Sequence, residues 1–188
     1  MSSRLHIEQI ETEEALLQIS QTGDIAVVEG FANARRRCEA LAWRAIVRRE
    51  IGANVVISYD EYGAPRVDVP STFISVSHSR GVVAVLISEH QCAVDIEDAE
   101  RDFAKVAERY LSPAEYRVAE QYDLFAEMWC AKEALYKYHK KGGVDLVKDL
   151  VISDYMPKSN TLVATILGGE PIEITLRREG TLVVAQIG

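Results

Sequence analysis

Between Phe73 and Gly143 the hydrophobic period of the chain switches from that of a strand to that of a helix, and this switch constrains the fold more than any other feature. The stretch opens with FISVSHSRG, passes through CAVDIEDAERD and closes with WCAKEALYKYHKKGG. Asp95 and Glu97 stand two residues apart in the strand-like part, so alternation sends both carboxylates to one face. Glu133 and Lys137 stand four apart in the helix-like part, which also places them on one face. Packing that strand on that helix would gather three carboxylates and an ammonium. Such a set suits a hard divalent cation beside a phosphate, because Mg²⁺ takes oxygen ligands and shares them with substrate phosphates.

The flanking sequence repeats one plan. Residues 5–11 alternate as a strand; Thr12 caps a short helix from Glu13 to Ser20, with Gly23 as its stop. Phe31 to Glu50 is helical, with Ala34, Cys38, Leu41, Ala42 and Ala45 on its core arc. Residues 55–59 form a strand, 60–65 a turn, and 73–77 and 82–88 a hairpin around His78-Ser79-Arg80-Gly81. Cys92 to Glu97 completes a three-stranded meander. Helices follow from Phe103 to Tyr110, after the Ser112–Glu115 capping box, and from Leu124 to Lys140, the last stopped by Gly142-Gly143. Strands at 150–154, 161–167, 172–176 and 182–187 close the chain. The fold class is therefore α+β: two similar lobes, 1–98 and 99–188, each a small antiparallel sheet with packed helices, forming one compact unit with a site at their junction.

Composition excludes several classes. A net charge of −8 and pI near 5.1 argue against a general nucleic-acid binder. The N-terminal stretch lacks a signal-peptide pattern, and no apolar run is long enough to span a bilayer. Cys38, Cys92 and Cys130 are isolated thiols, so the chain reads as a soluble cytoplasmic protein. Against that acidic background the helix from Phe31 carries six arginines, of which Arg37, Arg44 and Arg48 share one stripe. The stripe reads either as a snorkelling, solvated face or as a phosphate cradle. The acids have bland readings too: a solvated strand end for Asp95 and Glu97, and for Glu133 and Lys137 a helix ion pair contributing ~0.2–0.5 kcal/mol. Lys132 adds a cation near Glu133. The Ser77-His78-Ser79 run suits a group of phosphate donors better than a nucleophilic triad, whose orienting acid the sequence does not single out.

In this order, SHS in a hairpin, then VDIE, then WCAKEALYK, the motifs resemble those of the 4′-phosphopantetheinyl transferases, most closely the monomeric, two-lobed, surfactin-synthetase-activating type. The resemblance runs over residues 31–145 and includes the Tyr62-Gly63-Ala64-Pro65 turn and the Tyr110-Leu111-Ser112 segment. It implies a pseudo-two-fold of two lobes with coenzyme A and Mg²⁺ in the cleft between them. By carry-over, Asp95, Glu97 and Glu133 hold the metal, and the catalytic work falls on Glu133, Lys137 and Asp95. Lys137 and Lys132 face the pyrophosphate, Ser77 and His78 the coenzyme A phosphates, and Arg35, Arg36, Arg37 and Arg44 the 3′-phosphate. Gly63 and Pro65 lie where the family holds the adenine end. Two departures are Ala64, where the family's turn carries lysine, and Ala93, where it carries glycine.

The implied reaction moves the 4′-phosphopantetheine arm of coenzyme A to a serine of an acyl or peptidyl carrier protein, releasing 3′,5′-ADP. A Mg²⁺-dependent nucleotide phosphohydrolase and a non-catalytic coenzyme A-binding module are the alternatives. The carrier and coenzyme A are the expected partners, with no nucleic acid and no membrane.

Overall fold

A computed structural model describes residues 3–188; Met1 and Ser2, where the stretch read as lacking a signal-peptide pattern begins, lie outside the described residues. The chain divides into two compact units, Met1–His90 and Gln91–Gly188. They are two similar α+β lobes, each a small antiparallel sheet with packed helices.

The first unit contains β1 (Arg4–Gln9), α1 (Glu13–Ile19), α2 (Thr22–Glu29), α3 (Ala34–Ile51), β2 (Ile57–Tyr59), β3 (Pro65–Val67), β4 (Phe73–Ser79) and β5 (Val82–Ser88). Its main sheet has the order β1-β5-β4, and β2 and β3 form a separate hairpin. Strand β5 is central because β1 pairs antiparallel along one edge, from Arg4 opposite Ile87 to Gln9 opposite Val82, while β4 takes the other. Both edges of β5 are therefore filled, and the expected meander of β4, β5 and the acidic strand does not form. Leu41, Trp43, Ile46 and Val47 of α3 share a core with Val83, Val85 and Ile87 of β5. The core arc thus differs from the expected one, for Ala34 is exposed and Trp43 buried.

The difference has a cause in α2, a helix that the sequence reading did not include because Gly23 looked like a terminator. Gly23 instead occupies the first turn, where its cost is small. Asp24 beside it is buried and holds two arginines of α3. Arg48 donates from Nε at 2.5 Å and Nη2 at 3.0 Å, and Arg44 Nε stands 3.6 Å away. Arg37 is bonded in the same way to Glu13 of α1, at 2.5 and 3.1 Å. The arginine stripe is therefore the face that α1 and α2 cover.

The second unit contains β6 (Ala93–Asp98), a 3-10 helix (Ala104–Arg109), α4 (Pro113–Tyr122), α5 (Phe125–His139), β7 (Leu150–Met156), β8 (Thr161–Ile166), β9 (Ile172–Glu179) and β10 (Leu182–Ile187). All five strands form one antiparallel sheet in the order β6-β10-β9-β8-β7. Lys140, in the left-handed region at φ 64°, ends α5 before the glycine pair is reached. The capping box forms as expected: Ser112 Oγ accepts from Glu115 N, and Glu115 Oε2 accepts from Ser112 N at 2.7 Å. Glu115 Oε1 also accepts from Ile152 N at 2.7 Å and from Lys132 Nζ at 2.6 Å. Lys132 is fully buried and donates further to the carbonyls of Leu146 and Leu150, so one ion pair ties α4, α5 and the start of β7 together. Burial lowers the Lys132 pKa while Glu115 opposes that shift.

Candidate functional site

Strand β6 lies at the edge of the second sheet with β10 as its neighbour, and α5 packs across both. The register sets Asp95 opposite Ala185 and Glu97 opposite Val183, so the two acids project from the same face, as alternation requires. The helix crosses this face closely enough for the Cys130 thiol to lie 3.7 Å from the Val183 carbonyl. Lys137, two turns beyond, donates to Asp95 Oδ1 at 2.8 Å and to the Val94 carbonyl at 3.1 Å.

Glu133 stands between these groups in charge as well as in sequence. Burial raises its carboxyl pKa above the ordinary range; the charges of Asp95 and Glu97 push the same way, and Lys137 opposes them. Three carboxylates therefore share one neighbourhood, and the Lys137 ammonium sits within it. Glu97 also takes a contact that the sequence reading missed. Arg101 Nη1 donates to its Oε1 at 2.6 Å, and the i,i+4 spacing across the turn after β6 was the signal available. In donor chemistry the three acids fit a hard divalent cation. Asp95 and Glu97 are turned instead toward Lys137 and Arg101, and among the described residues no three His, Cys, Asp or Glu side chains converge as a ready metal-ligand set.

Other predicted residues of the second unit have structural surroundings. Lys132 points away from solvent into its pair with Glu115. Trp129, one turn before Glu133, packs edge-on against Tyr110, with ring centroids 5.1 Å apart, and lies 5.8 Å from Phe103. It belongs to an aromatic cluster under the helix.

In the first unit the hairpin differs from expectation in a way that matters for donors. Strand β4 runs to Ser79, leaving Arg80 and Gly81 as a two-residue turn with φ of 43° and 81°. His78 is then a strand residue, and alternation buries Ser77 and Ser79 while exposing His78. The Ser-His-Ser run does not present three donors to one side. His78 Nδ1 instead lies 3.4 Å from Oε1 of buried Glu39, which also accepts from Arg35 Nε at 2.7 Å. Arg35 remains largely exposed, whereas Arg44 is buried, stacked 4.2 Å over Trp43 and bonded to the Tyr59 hydroxyl at 2.6 Å. Gly63 adopts φ 82° in the β2–β3 turn, where Asp60 Oδ1 accepts from Tyr62 N at 3.0 Å and Ala64 N at 2.9 Å. Pro65 follows as the first residue of β3, opposite Tyr59.

Comparison with known proteins agrees with this arrangement. Residues 91–180 match the model of the 4′-phosphopantetheinyl transferase superfamily. The chain is also similar to the 4′-phosphopantetheinyl transferase gsp of Aneurinibacillus migulanus, 34% identical over 125 residues, a match covering 60% of this chain and 52% of that protein. The chain thus spans about half the length of this curated relative. The residues matched to that superfamily, 91–180, include the acidic strand and the helix above it, and over them the chain is similar to the 4′-phosphopantetheinyl transferases.

Proposed function

We propose that this protein transfers the 4′-phosphopantetheine arm of coenzyme A to a serine of an acyl or peptidyl carrier protein, as a member of the surfactin-synthetase-activating type. The observation that carries this reading is the grouping of Asp95, Glu97, Glu133 and Lys137 on one strand and one helix, inside the matched residues. The carrier serine oxygen attacks the β-phosphorus of coenzyme A, a new P–O bond forms to the serine, and the bond to the 3′,5′-ADP oxygen breaks. Phosphoryl-type transfer of this kind needs positioning and charge stabilisation more than covalent help.

Glu133 suits the proton-accepting role. In the metal-free chain burial and the charges of Asp95 and Glu97 raise its pKa, whereas as a ligand of Mg²⁺ it would be a weaker base and a water would be the better carrier of the proton. It takes the serine proton directly or through a water. Lys137, partly exposed and anchored by Asp95, supplies a fixed positive charge to the diphosphate. Asp95, Glu97 and Glu133 would hold Mg²⁺, which supplies neutralisation of the diphosphate charge when bound. Binding it requires Glu97 and Asp95 to share or release Arg101 and Lys137.

For the coenzyme A phosphates the reading rests on the exposed His78 and Arg35, with buried Ser77 next to His78 in the strand but on its other face. Arg37, Arg44 and Lys132 already have carboxylate partners, and in this reading they position their elements. Gly63 and Pro65 shape the turn proposed for the adenine end.

The test is incubation with a panel of apo-carriers, coenzyme A and Mg²⁺, read by mass spectrometry. The expected result is a phosphopantetheine-sized mass gain on at least one carrier, with 3′,5′-ADP released in equal amount. Release of 3′,5′-ADP without any carrier would instead identify a phosphohydrolase, which uses the same acids with water as the nucleophile.

A further inference from the structure

A cavity of about 260 Å³ opens in the second unit where the turn after β6, residues 99–104, meets the start of α5 and Arg178 of β9. Of the groups that make it polar, only Arg101, through its bond to Glu97, touches the mechanism proposed above; Asp123, Glu127 and Arg178 have no part in it. Glu127, in the first turn of α5, lines the cavity at 5% exposure, and among the described residues its Oε2 has no hydrogen-bond donor. A buried carboxylate oxygen without a donor is costly, and the neighbourhood does little to relieve it. Arg178 Nε stands 3.6 Å from the other oxygen, beyond good hydrogen-bond distance. Asp123, four residues earlier, lines the same cavity and adds negative charge to it. Arg101 reaches the cavity too, but its guanidinium is committed to Glu97 and to the Phe103 ring, 4.8 Å away. With Glu100 and Asp102, which also line it, the cavity carries four acids against Arg101 and Arg178, beside an aromatic wall that includes Phe125. Acids in excess next to aromatic rings favour a cation carrying several N–H donors.

We propose that this cavity binds a small organic cation, an alkylammonium or guanidinium group, which donates to Glu127 Oε2. The carboxylate that receives the cation, Glu127, takes no part in the transfer reaction. The group could come from a free amine or from the side chain of a basic residue in a partner, and the two sources share the chemistry at Glu127.

Amide NMR of the full chain titrated with agmatine, which carries both groups, tests this. N-acetyl-arginine amide in a parallel titration stands for the protein-borne source, and the tighter of the two probes indicates which source the cavity prefers. The expected result is saturable shifts confined to residues 99–104 and 123–127. Glu127→Gln should weaken binding about tenfold, the scale of one charge-assisted hydrogen bond. Arg178→Met should strengthen it, because the competing cation is gone while Glu127 remains. Loss of packing would not produce that opposite sign. Absence of saturable shifts, shifts centred on Asp95 and Glu133, or equal binding by Glu127→Gln would overturn the proposal. If Glu127→Gln does not fold, Arg178→Met decides, since unchanged or weaker binding there also overturns it.

Discussion

At the scale of single residues, Glu133 carries the most specific expectations. Glu133→Ala should lower the rate of phosphopantetheine transfer by about a thousandfold, the loss typical when a catalytic group and its charge stabilisation go together. Labelled transfer to a carrier, with circular dichroism to confirm folding, measures it. The same residue predicts a pH dependence of stability. Its carboxyl pKa is raised in the folded chain, so the folded state is favoured while the group is protonated and is penalised as pH rises through the raised value. Glu133→Gln removes that penalty. Its melting temperature should exceed that of the wild type at about pH 8, and the gap should close toward about pH 4, where glutamate is protonated in the unfolded chain as well. A gap that widened in acid would contradict the assignment. These residues were legible in the sequence because spacings of two in a strand and four in a helix fix which side chains share a face. Arg101 was not singled out, since a pair across a turn depends on how the turn closes.

At the scale of elements, the Glu115–Lys132 pair is the joint on which α4, α5 and β7 meet. Lys132→Met leaves a buried carboxylate with its two amide donors but no counter-charge, and should cost roughly 3–5 kcal/mol in urea unfolding. Ser112→Ala removes one half of the capping box and should cost about 1 kcal/mol. The larger loss for the interior pair separates its role from that of the cap. The sequence displayed the capping box plainly, because its donors and acceptors are three residues apart. It could not display that the same glutamate, 17 residues before Lys132, receives that lysine's ammonium. Helix α2 shows a similar limit. Its pattern is weak and contains a glycine, and Asp24 fixes it through Arg44 and Arg48 of α3.

At the scale of the whole molecule, each unit has its own sheet, and the second has a core running from Ala93 to Ile187. Residues 91–188 expressed alone should therefore unfold cooperatively in urea and give a dispersed amide spectrum; a collapsed spectrum would refute this. The acidic strand belongs to that unit because β10, the last strand of the chain, supplies its hydrogen-bonding partner. From the sequence alone followed the α+β class, the two similar lobes, most strands and helices, and the faces that Asp95, Glu97, Glu133 and Lys137 occupy. All of these rest on local periods of two and 3.6 residues. Tertiary structure alone decided that β1 fills the second edge of β5, that β6 joins the other sheet, and that the arginine stripe and Lys132 find carboxylate partners within the fold. Strand order and buried ion pairs join residues far apart in the chain, and no local period records which distant partner reaches an edge or a charge first.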